Sequence, residues 1–159
     1  MTSAQFGRNP IEVLEQTAST LAGIVTRNPA EVLRARPFED KWTPNEIIGH
    51  LADSEWIYGY RMRLILSEDD PAILGAKQDS WVAALRHNER EPSELVEIFR
   101  TLRTFNLAVW RRMTPLDLER SGRHNERGVE SLGMILQSVA THDLNHLEQI
   151  RRYLRAVAD

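Results

Sequence analysis

The groups in this chain best suited to chemistry are histidines. His142 and His146 stand four residues apart in Ala140-Thr141-His142-Asp143-Leu144-Asn145-His146-Leu147-Glu148-Gln149-Ile150. At about 100° per residue, Ile135, Val139, His142, His146, Gln149 and Tyr153 project within roughly 60° of one line, so both imidazoles fall in the apolar stripe that a helix turns toward a core. A buried polar ring without a partner costs about 1–3 kcal/mol, and two such rings need a shared one. A divalent metal meets that need, because histidines at i and i+4 present two nitrogens to one ion. A core pair bonded to backbone carbonyls is the alternative. A third inward histidine favours the metal, and His50 supplies it on the stripe Ile47, His50, Leu51, Ser54, Ile57, Arg61, Ile65.

Three histidines leave an ion its positive charge and an open coordination position, the pattern of catalytic metal sites. Such an ion lowers the pKa of a bound water to roughly 7 and polarises a carbonyl, or holds a low-molecular-weight thiol as thiolate. Zinc and nickel both suit imidazole. The chain has 0 cysteines, which excludes disulfides, a thiolate metal site and a protein thiol nucleophile, so thiol chemistry would require a free thiol as cosubstrate.

Other polar residues share the inner faces. Arg61 lies within about 20° of His50 on an ideal helix and can bind the carboxylate of a substrate or thiol, or else bend out to solvent. Asp53, one turn beyond His50, is a candidate base or acceptor for a ligand histidine, with a solvated or capping role as the alternative. Gln149 and Asn106 are candidates to orient a substrate, or ordinary core polar contacts. His124 is expected to be a loop histidine bonded to backbone, with approach to the site as the alternative, and His87 a surface residue. Trp42, Trp56, Trp81 and Trp110 are expected to anchor packing.

Four long helices must position these groups. Asn9-Pro10 opens the first, carried by Ile11, Leu14, Ala18, Leu21 and Val25 until Asn28-Pro29. Thr43-Pro44-Asn45-Glu46 is a capping box that opens the second, which runs to about Leu66. About 25 residues with a short helical piece near Asp79–Leu85 separate it from the third, which begins near Pro92. A connection that long is a crossover, and it allows the second and third helices to run parallel. The third keeps Leu95, Phe99, Leu102, Asn106, Val109 and Met113 inward. Ser121–Gly128 is expected to be an irregular loop, and the fourth helix spans about Ser131–Val157. With no β pattern in view, the expected fold is an all-α four-helix bundle forming one domain over residues 1–159.

A net charge of −3 and a pI of about 6.0 argue against nucleic acid as a partner. No segment has the length and hydropathy of a membrane span, and Met1–Pro10 lacks the apolar run of a signal peptide, so a cytoplasmic protein acting on a small molecule is expected.

The chain resembles the DinB-like superfamily, particularly its YfiT-like branch of metal-dependent proteins. The resemblance rests on Trp42-Thr43-Pro44-Asn45-Glu46-Ile47-Ile48-Gly49-His50-Leu51-Ala52-Asp53-Ser54-Glu55, Asp79-Ser80-Trp81, His124-Asn125-Glu126-Arg127-Gly128 and His142-Asp143-Leu144-Asn145-His146-Leu147-Glu148-Gln149-Ile150. It implies an up-down-down-up bundle with a divalent ion on His50, His142 and His146. It also implies hydrolase or thiol transferase activity and frequent homodimers, for which Ile48 and Trp56, outside the inner line of the second helix, are the apolar candidates. A non-catalytic bundle, in which the ion or the histidines stabilise the fold or a dimer, is the alternative.

Overall fold

The computed structural model describes residues 8–158. Its long helices are α1 (Pro10–Arg27), α3 (Pro44–Ser67), α5 (Pro92–Trp110) and α7 (Leu132–Ala158). Between them lie α2 (Ala30–Arg34), β1 (Ala72–Ile73), α4 (Gln78–Ala84), a 3-10 turn (His87–Glu89), α6 (Pro115–Glu119), β2 (Ser121–His124) and β3 (Gly128–Ser131). Of the N-terminal stretch inspected for a leader, residues 1–7 lie outside the described residues.

The helix starts follow from local chemistry. Asn9 Oδ1 accepts the Ile11 N–H at 3.0 Å, and Pro10 needs no amide partner at the first helical position. In the α3 capping box, Thr43 Oγ1 accepts the Glu46 N–H at 3.1 Å while Glu46 Oε2 accepts the Thr43 N–H at 2.7 Å. That box sets the phase of α3, and therefore the direction of His50.

Cross-contacts establish the topology. Asn45 at the start of α3 donates to Arg90 O just before α5, and Glu55 and Arg63 further along meet Arg103 and Asn106. Both helices thus advance together and run parallel. Trp42, ahead of α3, stacks near His146 just past the middle of α7, whereas Arg120, ahead of α7, donates to Ile65 O at the end of α3. Those two are antiparallel, giving the up-down-down-up bundle. The core divides into two apolar clusters, one around Leu21, Ile47, Leu51, Phe99 and Ile150, the other around Leu14, Met62, Trp110, Leu132 and Val139.

Three expectations are corrected. Ser121–Gly128 is not an irregular loop: β2 and β3 pair antiparallel around an Asn125-Glu126-Arg127 turn, and β1 adds in parallel to β2, with Ile73 opposite His124. Four-residue polar strands carry no alternating apolar pattern, so only the backbone ladder defines them. His87 is not at the surface. It is buried against Gly49, where a Cβ would come within 2.3 Å of its ring, and its Nε2 lies 2.6 Å from Asp53 Oδ2. Ile48, offered as an interface residue, is fully buried in the first cluster, while Trp56 does reach the surface.

Candidate metal centre

His50 comes from the second turn of α3, and His142 and His146 from consecutive turns of α7 across from it. One ligand nitrogen from each lies within 4.8 Å of the others. His50 Nε2 and His142 Nε2 face each other at 2.9 Å, and the three ring centroids are 4.4, 4.8 and 5.0 Å apart. In a tetrahedral site with bonds of about 2.0–2.1 Å, nitrogens stand about 3.3 Å apart, so this cluster needs only small side-chain adjustment.

Its electrostatics fit an ion as well. Burial, followed by the nearby His146 and His87, lowers the His50 pKa to about 3. Burial, His146, His50 and Arg103 lower His142 to about 2, and burial also lowers His146. All three rings are neutral at physiological pH and offer lone pairs, which is the protonation state metal ligation requires. Two neutral rings at 2.9 Å share a single proton between Nε2 atoms, so metal-free the cluster has more acceptors than donors.

The surroundings orient the rings. Gln149 Oε1 accepts from His146 Nδ1 at 2.8 Å, leaving His146 Nε2 as the free lone pair, and Gln149 Nε2 in turn donates to Tyr153 Oη at 2.9 Å. Trp42 packs against His50 and His146 at centroid distances of 4.7 and 6.2 Å. Ser54 Oγ lies 3.4 Å from His50 Nε2, and the Tyr58 ring 6.1 Å from that of His142.

The sequence of the chain matches the DinB superfamily over residues 13–150. The chain belongs to the DinB superfamily. Among DinB-like relatives, a protein of Oceanobacillus iheyensis described as a proposed metal-dependent hydrolase is 30% identical over 110 residues, covering 69% of this chain and 63% of that protein. The chain thus aligns with less than two thirds of that relative. YfiT of Bacillus subtilis, named likewise, is 25% identical over 146 residues, 91% of this chain and 82% of its own length. The solved structure of YfiT, described as having an unusual four-helix bundle topology, superimposes with a TM-score of 0.86 at 24% identity, over 92% of this chain and 84% of that one.

Within this DinB fold the remaining candidates separate. Gln149 is hydrogen-bonded to the candidate ligand His146. The Asp53 carboxylate is engaged by His87, with Oδ2 2.6 Å from Nε2. Asn106 is likewise committed elsewhere, its Nδ2 donating to Glu55 O and Oε1 and its Oδ1 accepting from Arg63. Arg61 is buried and turned inward, with Nη2 donating to Leu74 O at 2.7 Å. His124 is bonded to backbone as expected, Nδ1 accepting from Glu126 and Arg127, but it is buried in β2.

Sequence reasoning missed the group beside the cluster. Arg103 is buried between Glu55 and Asp143, donating to Glu55 Oε2 and Asp143 Oδ2 at 2.7 Å each, and Thr17 Oγ1 donates to the same Asp143 oxygen at 2.6 Å. Burial opposes the Arg103 charge, but the two carboxylates outweigh it and hold its pKa above the ordinary value. The available signal was positional: Asp143 sits between His142 and His146, and Arg103 follows Phe99 by one turn of the inner stripe.

Proposed function

We propose that this chain is a metal-dependent enzyme that hydrolyses a small molecule at the three-histidine centre. The observation that carries this is the donor set: no fourth histidine or carboxylate among the described residues joins His50, His142 and His146, whereas structural zinc sites are closed by four protein ligands. The descriptions of the Oceanobacillus and Bacillus relatives support hydrolysis. Zinc or nickel is the proposed ion. When bound, it supplies Lewis acidity toward a carbonyl and toward water.

The chain's own residues divide the rest of the work. Gln149 fixes the tautomer of His146, and Trp42 covers one flank of the cluster. A polar cavity of about 160 Å³, lined by Ser54, Tyr58, Arg61, Gln78, Glu126 and Arg127 among others, abuts the centre through Ser54 and Tyr58. Burial pushes the Tyr58 phenol up, so it stays protonated and remains a donor at neutral pH. Arg61 lines this cavity and is placed to hold an anionic end of a substrate.

Thiol transfer is the second reading. The chain has no cysteine, so the nucleophilic sulfur would come from a small cellular thiol, and Arg61 suits one that bears a carboxylate. A cytoplasmic location fits either chemistry, and among the described residues no helix is long and apolar enough to cross a membrane. Metal-loaded protein screened against esters, amides and electrophiles, with and without added thiols, separates the two. Hydrolysis without thiol is expected. Turnover only with thiol would select transfer, and no turnover together with a fourth protein ligand on the ion would leave the metal a structural role.

A further inference from the structure

Arg61 differs from the other deeply buried arginine of the bundle. Arg103 meets two carboxylates, whereas Arg61, 6% exposed, has only the neutral Leu74 carbonyl oxygen and the face of Tyr58, 5.7 Å from its guanidinium carbon. Among the described residues no carboxylate stands within 4.0 Å of it. Neighbouring Arg127 is already matched, donating from Nε and Nη2 to the two carboxylate oxygens of Glu130 at 2.7 and 3.0 Å. Glu130 and Glu126 favour its charge only from beyond contact distance, and a buried cation with no carboxylate in contact is the kind of group a ligand anion completes.

Its position adds a second constraint. Arg61, Ile57, Gly75 and Ala76 line the polar cavity that abuts the histidines, and the same four residues line another cavity of about 330 Å³ on the other side. That second space is walled by Trp56, Tyr60, Leu64, Ile73, Leu74 and Trp81. Rings and aliphatic side chains around a single charged group are the usual composition of a small-molecule site. Leu74 is 74% exposed although its backbone carbonyl anchors Arg61, so the rim of this space is apolar as well as its interior.

We propose that the Trp56–Trp81 cavity is a second subsite, which takes the aromatic or medium-length alkyl group of a small carboxylic acid whose carboxylate is held by Arg61. The reactive part of such a molecule points through the polar cavity toward Ser54 and the histidines. That last statement rests on the proposed hydrolase function, but binding of the acid itself does not, and it persists without metal.

Calorimetric titration of the metal-free protein with octanoate, acetate and 1-octanol tests the subsite. Octanoate binds at least about tenfold more tightly than either acetate, which lacks six methylenes, or octanol, which lacks the charge. Arg61→Met abolishes the preference for octanoate over octanol. Ala72→Phe, on the strand wall of the cavity, removes octanoate binding while leaving helicity, read by circular dichroism, and metal content unchanged. Octanoate binding no tighter than acetate overturns the proposal, as does octanoate binding that survives both substitutions. If octanoate binds as predicted but no substrate is ever turned over, the subsite stands and the hydrolase proposal falls.

Discussion

Asp143, the residue immediately after His142, grips Arg103 with both carboxylate oxygens, at 2.7 and 3.1 Å. Arg103 also binds Glu55, so α3, α5 and α7 are tied together at the level of the histidines, and Thr17 and the Leu14 carbonyl join α1 to the same point. This polar layer separates the two apolar clusters of the core. It holds the histidine-bearing turns of α3 and α7 in register.

Breaking that layer from one side leaves buried carboxylates without their cation. Arg103→Leu should therefore destabilise the fold by about 3–5 kcal/mol, read as a lower midpoint in urea denaturation. A change below about 1 kcal/mol would show that the carboxylates find other partners.

Gln149 should matter to the ion more than to the fold. With Gln149→Leu, His146 loses the acceptor that fixes its tautomer, and metal affinity should fall about 10–100-fold while circular dichroism stays unchanged. Unaltered affinity in a competition titration would remove Gln149 from the site.

Metal-free protein should be acid-sensitive. The folded pKa values of His50 and His142 lie near 3 and 2 against an ordinary 6.5, so between about pH 6.5 and 3 the unfolded chain binds more protons than the folded one. Stability is full above pH 6.5 and declines as pH falls through that window, by up to about 1.4 kcal/mol per pH unit for each imidazole. Denaturation series across pH 4–8 check this, and His50→Phe should flatten the slope.

We propose that the homodimer implied by the family resemblance uses the surface around Trp56 and Phe105, which are 56% and 64% exposed, Ile48 being buried in the core. Light scattering at micromolar concentration should then give twice the chain mass, and Phe105→Asp should return it to one. A monomer mass for the unmodified protein removes the dimer.

Much of this architecture is legible in the sequence because it is locally encoded. Asn9-Pro10 and Thr43-Pro44-Asn45-Glu46 fix helix starts through side-chain caps, and the apolar spacing after them points His50, His142 and His146 inward. The small sheet is not legible, since Ser121–His124 pairs with Gly128–Ser131 through backbone alone. His87 was misplaced for a related reason: its charged neighbours Arg86, Glu89 and Arg90 mark a surface segment, and only the crossover's return over Gly49 and Asp53 buries it. Arg103 and Asp143 look like exposed charges on any propensity scale, and their burial depends on one another.

The most direct test is elemental analysis of protein purified without a histidine tag. One divalent ion per chain is expected for the unmodified protein and none for the His142→Ala, His146→Ala double variant, with helicity retained after chelation because the two apolar clusters remain. Full metal content in the double variant would contradict the three-histidine centre.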